Sequence, residues 1–142
     1  MLNLIMNILW IVCGGFGMAV GWWFSALVMA ISIIGIPWAR ACLVMGFLVL
    51  WPFGMKVVPR KQVTGRHDIG TGILGLLGNI IWFLLAGWWL ALGHLLLALF
   101  WFVTLIGIPF GLQNLKFAGM ALAPIGKTVI IKQTGEPLWW KF

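Results

Sequence analysis

From Asn7 to Val58 the chain matches its own continuation, Asn79 to Ile130, without a gap at an offset of 72 residues. The segment "NILW" meets "NIIW", "IIGIP" meets "LIGIP", and "LWPFGMKV" meets "LAPIGKTV". Seventeen of the 52 aligned positions are identical, among them Gly15/Gly87, Gly21/Gly93, Gly35/Gly107, Pro37/Pro109, Pro52/Pro124 and Gly54/Gly126. A shared apolar composition raises identity but does not bring glycines and prolines into register. The chain is therefore a tandem duplication, and both halves are expected to adopt one backbone plan.

Charge limits what that plan can be. Met1 to Ala39 and Ile69 to Leu115 contain no Asp, Glu, Lys or Arg, and each run far exceeds the roughly 20 apolar residues that cross a hydrocarbon core. Only 8% of the residues are charged and the mean hydropathy is +1.13, against roughly 25% charged residues in soluble domains. This is the composition of an integral membrane protein. No basic segment precedes the first apolar run, so a cleaved signal peptide is not expected. Cys13 and Cys42 lie among apolar residues and read as small core side chains, not as a disulfide or metal ligands.

The net charge of +7 is unevenly placed. Lys56, Arg60, Lys61 and Arg66 fall between the two apolar blocks, Lys127, Lys132 and Lys141 follow the second, and Arg40 and Lys116 complete the nine cations. The positive-inside rule puts both basic segments, and with them both termini, in the cytoplasm. The repeats are then parallel, related by an axis along the membrane normal. Such loops predict no nucleic-acid partner; the partners expected are the bilayer itself and anionic lipid headgroups.

Within each repeat the sequence predicts one span up to a glycine-rich break ("CGGFG" 13–17, "LAGWW" 85–89) and a second running down to "GIP", with Trp22, Trp23, Trp88 and Trp89 near the outer interface. The proline after each "IGI" suits the first turn of a new helix. That helix covers Trp38 to Trp51 and Phe110 to Ala123. It is short for a span, and an interfacial or re-entrant position on the cytoplasmic side would spare Arg40 and Lys116 the cost of lipid burial. Beyond it, "MKVVPRKQVTG" and "KTVIIKQTG" are rich in β-branched residues and predict short strands that could pair with each other, Pro59 confining the first to a sheet edge. The predicted architecture is an all-α integral membrane protein with four transmembrane helices as two parallel tandem repeats, each followed by a short interfacial helix and a short possible strand. Its divisions are repeat one at 1–58, a basic cytoplasmic linker at 59–72, repeat two at 73–130 and a cytoplasmic tail at 131–142.

No carboxylate lies in either apolar block, since Asp68 and Glu136 are both in polar segments. This speaks against a small multidrug exchanger and against an enzyme built on paired carboxylates. His67 and His94 have no ligand-type residue at metal spacing, and neither a phosphate-binding glycine loop nor a nucleophile elbow is present. No catalytic residue, metal or cofactor is predicted. What remains is a polar strip in the second repeat: on a helical wheel Gln113, Lys116, Phe117 and Met120 share one face with Asn114 at its edge, and Leu112, Leu115, Gly119 and Leu122 lie opposite. That face could meet water or a cavity. Arg40 could snorkel to headgroups, and His94 is expected near the outer end of a span. Gly17/Gly21 and Gly107/Gly111 are spaced for close helix packing, within one subunit or between subunits.

The residues "GWWLALGH" and "IGIPFGLQNLKFAGMALAPIGK", with the two-copy arrangement, resemble the YccF family of bacterial inner-membrane proteins. The resemblance extends from about Leu4 to Val129, although the first repeat carries Ala41, Cys42 and Val44 where the second has Gln113, Asn114 and Lys116. It implies a multi-pass inner-membrane location with two domain copies, and no particular activity. Two functions are expected on these grounds: a homo-oligomeric ion channel or small-solute pore lined by Gln113, Asn114 and Lys116, or a non-conducting accessory protein that docks a partner or anionic lipid through its basic segments. An alternating-access carrier fits less well, because no deep ionisable cluster lies between the repeats.

Overall fold

The computed structural model describes residues 1–137; the end of the predicted tail, including Lys141, lies outside the described residues. The first repeat runs α1 (Leu2–Trp10), a five-residue π-turn (Ile11–Gly15), α2 (Phe16–Ile31), α3 (Ile36–Leu50) and β1 (Met55–Pro59). A single helical turn, α4 (Arg60–Thr64), opens the linker. The second repeat gives α5 (Gly72–Trp82), a π-turn (Phe83–Gly87), α6 (Trp88–Phe102), α7 (Ile108–Leu122) and β2 (Lys127–Ile131).

The glycine-rich segments are not reversals between two spans. In the second repeat the segment is a helical turn inside one continuous helix, Gly72–Phe102, of 31 residues; in the first it is a kink at Cys13 and Gly14 within the 30-residue run Leu2–Ile31. At 1.5 Å per residue each is about 45 Å long, more than a bilayer core requires. Among the described residues two helices are long and apolar enough, by length and composition, to cross a membrane. Only 22% and 28% of their most apolar windows are buried within the chain, so these helices are not core helices of a soluble protein; their apolar faces point outward. The sequence reading failed here because Gly interrupts helix propensity but removes no hydrogen-bond donor. Without Pro or a polar turn the backbone stays paired.

The two π-turns differ for an identifiable reason. Gly14 has φ +119° and ends regular helical geometry at Cys13, kinking the first long helix, whereas its counterpart is Ala86 and no comparable break occurs in Phe83–Gly87. An L side chain is strained at that φ. Gly14→Ala is expected to destabilise the protein by about 1–3 kcal/mol, read as a lowered melting temperature in detergent, while Ala86→Gly is expected to cost about 1 kcal/mol or less through helix propensity.

After each long helix the chain turns tightly. Ser32 donates to the carbonyl of Met29 and accepts from the amide of Gly35; Thr104 does the same between Trp101 and Gly107. These bonds satisfy helix-end groups that would otherwise be orphaned in an apolar turn. The proline helices then run back: α3 packs antiparallel on α2 and α7 on α6. They are return limbs of helical hairpins, packed along the second halves of the long helices. Each is 15 residues long, about 22 Å. The hairpin tips are uncharged and exposed, with Ile33 at 75% and Leu105 at 86%.

Each repeat begins and ends at the same end of the molecule, and two devices, each present twice, fix this. The Asn7 amide donates to the carbonyl of Phe53 and accepts from its N–H, both at 2.9 Å; Asn79 makes the same pair of bonds to Ile125 at 3.3 and 3.0 Å. Trp10 donates its indole N–H to the Val49 carbonyl and Trp82 to that of Ala121, each at 2.6 Å. A Cβ on Gly15 would collide with the Trp10 ring, and one on Gly87 would come within 2.8 Å of both the Ala121 oxygen and the Trp82 ring. Those paired glycines clear the ground on which the indoles lie.

The predicted strands exist and pair with each other, antiparallel, with Val57 opposite Val129. These two residues are repeat equivalents, so a pseudo-dyad passes between them. An antiparallel pair centred on equivalent residues is what two repeats related by a twofold axis produce. Pro59 sits at the end of its strand, where the lost donor costs no central ladder bond. The linker is tied down by an Arg60–Asp68 ion pair of 2.7 Å and by the Trp38 indole N–H on the Ile69 carbonyl. Between the repeats the core is aromatic: Trp22 stacks on Trp82 with centroids 5.2 Å apart, and Trp10 meets Phe110 and Phe117 at 6.0 and 5.9 Å.

Candidate functional site

Helix α7 presents two polar faces, and they lead to different places. Asn114 points into the helical layer, where it is buried together with His94 and Trp22. The Trp22 indole N–H donates to His94 Nε2 at 3.0 Å. An indole nitrogen can only donate, so Nε2 is the acceptor, and the neutral ring carries its proton on Nδ1. Nδ1 then donates to Asn114 Oδ1 at 2.9 Å, and the Asn114 amide donates to the Phe110 carbonyl at 3.1 Å. The chain Trp22–His94–Asn114–Phe110 is closed, each donor meeting an acceptor away from water.

Trp22 and His94 are themselves repeat equivalents, 72 residues apart, and meet on the same pseudo-dyad as Val57 and Val129. Asn114 is equivalent to Cys42, whose thiol donates weakly to the Trp38 carbonyl at 3.7 Å, the counterpart of the Asn114 bond to Phe110. This overturns two expectations. His94 lies mid-helix in the core, not at an outer interface, and Trp22 is likewise fully buried, whereas Trp88 is exposed and Trp23 and Trp89 are half-buried. Their positions follow from the absence of a reversal at the glycines, which places Trp22 and Trp23 within α2 and Trp88, Trp89 and His94 within α6.

The other face of α7 opens on a cleft of about 400 Å³ between that helix, the end of α3 and the two-stranded sheet. Gln113, Lys116, Phe117 and Met120 all line it, so the face picked out on the helical wheel meets a cavity. Lys56, Lys127 and Lys132 come from the strand segments and bring the cations to four. The floor is apolar and buried: Leu48, Phe117, Met120 and Val58 are all under one-tenth exposed. Lys56, Lys116 and Lys132 are exposed at the rim, and Lys127 and Gln113 are half-buried. Among the described residues no carboxylate lines the cleft, and Asp68 is already occupied by Arg60.

The remaining predicted residues lie elsewhere. Arg40 is exposed in the first turns of α3, toward the hairpin tip, and does not reach the lysine cleft. Gly21 lies against Leu90, and Gly111 against Phe102 and the Ala98 carbonyl, so both serve packing within the chain; Gly107 is held in its turn by Trp101 and Thr104. Gly17 faces open space. Among the described residues no group of three or more metal-ligating side chains comes together.

Two tandem hairpins with outward apolar faces and a basic sheet at one end define a helical membrane component. The chain belongs to the YccF family, described as an inner membrane component domain, which matches residues 5–55 and again residues 77–127. The inner membrane proteins YccF of Escherichia coli (strain K12) and Shigella flexneri are each 34% identical to it over 136 residues, covering 93% of this chain and 90% of theirs. No solved structure matches.

Proposed function

We propose that this chain is a non-conducting component of the bacterial inner membrane that works at the cytoplasmic face by holding an anionic group in the lysine cleft. The observation that carries this reading is the division of polar groups on α7. Asn114 is saturated inside the helical layer by His94 and Phe110, whereas Gln113 and Lys116 turn away from that layer to the cleft beneath the sheet. The sheet end carries Lys56, Lys127 and Lys132 with the linker cations Arg60, Lys61 and Arg66, which supports placing that end and the N-terminus in the cytoplasm. No covalent chemistry is assigned to the site; binding is its role.

A homo-oligomeric pore is the second reading. Gly17 and Gly119 leave open ground on outward helix faces, where the backbone of another copy could approach, and a ring of such clefts would form a cationic vestibule favouring anions. Planar-bilayer recording of the reconstituted full chain separates the two. No current is expected under any ionic gradient. An anion conductance that falls in Lys116→Ala would overturn the non-conducting reading and establish the pore.

A further inference from the structure

The lining of the cleft says what kind of anion it takes. We infer that it is a headgroup site for a net-anionic phospholipid of the inner leaflet, with the phosphate among the lysines and the glycerol end of the lipid over the apolar floor; this rests on the cleft being the working site. A volume of about 400 Å³ exceeds what a bare inorganic anion fills and lies within the roughly 300–1,000 Å³ range of organic-ligand sites. Leu48, Phe117, Met120 and Val58 form a buried apolar floor beneath a rim of exposed Lys56, Lys116 and Lys132. A small soluble anion has nothing to place on such a floor. An amphiphile does, since its charged and apolar ends match the two parts of the lining.

Charge sets the class of headgroup. Four lysines and the Gln113 amide line the cleft and, among the described residues, no carboxylate does, so a phosphate gains attraction while the ammonium of a zwitterionic lipid faces a lining of like charge. Position sets the source: α7 is one wall of the cleft and also packs along α6, the second half of a long apolar helix. The cleft is thus continuous with a surface along which a lipid can lie.

The test uses the purified full chain in a non-ionic detergent, titrated calorimetrically with dioctanoyl phosphatidylglycerol, dioctanoyl phosphatidylcholine and inorganic pyrophosphate. The glycerol lipid is expected to bind and the choline lipid and pyrophosphate to bind at least about tenfold more weakly. Lys116→Gln with Lys132→Gln is expected to weaken the glycerol lipid roughly thirtyfold, the loss of two surface attractions. Lys61→Gln, an exposed cation outside the cleft, is the control and should leave binding unchanged. Equal binding of the choline lipid overturns the inference. Pyrophosphate binding as tight as that of the glycerol lipid, and lost in the double variant, replaces the lipid by a soluble phosphate compound while the anion-holding cleft stands. Binding of the glycerol lipid that the double variant and Lys61→Gln change alike, or no binding of any probe, overturns both.

Discussion

Asn7→Leu is expected to destabilise the protein by about 1–3 kcal/mol, and Asn79→Leu by a similar amount, because each strips both partners from a partly buried peptide group. The Asn7 side chain is a primary amide, with one donor and one acceptor on the same edge, and it meets the N–H and C=O of Phe53 as a neighbouring strand would. Phe53 stands between α3 and β1, where the chain has left the helix and has not yet entered the sheet. Its backbone has no partner from regular structure there, so the amide substitutes for one. Leucine has the branching and heavy-atom count of asparagine, so it removes the hydrogen bonds with the least change of shape. Asn7→Asp tests the geometry further: it keeps the acceptor, loses the donor and is expected to be no better than leucine. Since the two clamps lie in different repeats and share no partner, their effects are expected to add in the double variant. Thermal unfolding in detergent measures all four proteins. Single leucine variants that melt with the parent would show that the clamps contribute nothing.

The second large effect is expected at the buried chain. His94→Leu leaves the Trp22 indole N–H and the Asn114 oxygen without partners in a water-free layer, at a cost of about 2–4 kcal/mol. His94→Trp is expected to be worse, since it sets two indole donors against each other across the dyad and adds volume to a packed core. A transposed variant, Trp22→His, Cys42→Asn, His94→Trp and Asn114→Cys, carries the same polar chain to the other side of the dyad. It is expected to recover much of the stability lost in His94→Trp alone. Its melting temperature decides the matter. A transposed protein no more stable than the single variant would mean that the surrounding rings, and not the hydrogen-bond pattern, dictate which half holds histidine.

The strands and their pairing could be foreseen because β-branched residues recur at equivalent places after each proline helix, and one such segment supplies a partner for the other. The cleft face of α7 was likewise visible as a helical stripe, since Gln113, Lys116, Phe117 and Met120 fall at three- and four-residue intervals. What they faced was not visible, because Lys56, Lys127 and Lys132 reach the cleft only through the strand pairing. The reversal expected at the glycine-rich segments is absent, since a helical turn or kink and a reversal share the same local composition. The clamps were hidden for another reason: Asn7 and Asn79 stood out as repeated residues, but an amide that binds a peptide 46 residues away leaves no local signature. His94 and Trp22 carried a usable clue in their separation of 72 residues, once equivalent positions are known to meet on an axis.

In a dimer of two identical half-length chains, a residue on the twofold axis would confront only its own copy. Two tryptophans there would offer two donors and no acceptor, and two histidines could share one bond only by adopting opposite tautomers. Covalent fusion of the halves removes that restriction at Trp22 and His94, so a donor can be matched to an acceptor on the axis itself. The same freedom lets α7 carry Lys116 and Gln113 where α3 has Val44 and Ala41. One side of the molecule can thus hold a charged cleft while the other remains apolar, which two identical chains obeying that symmetry could not achieve.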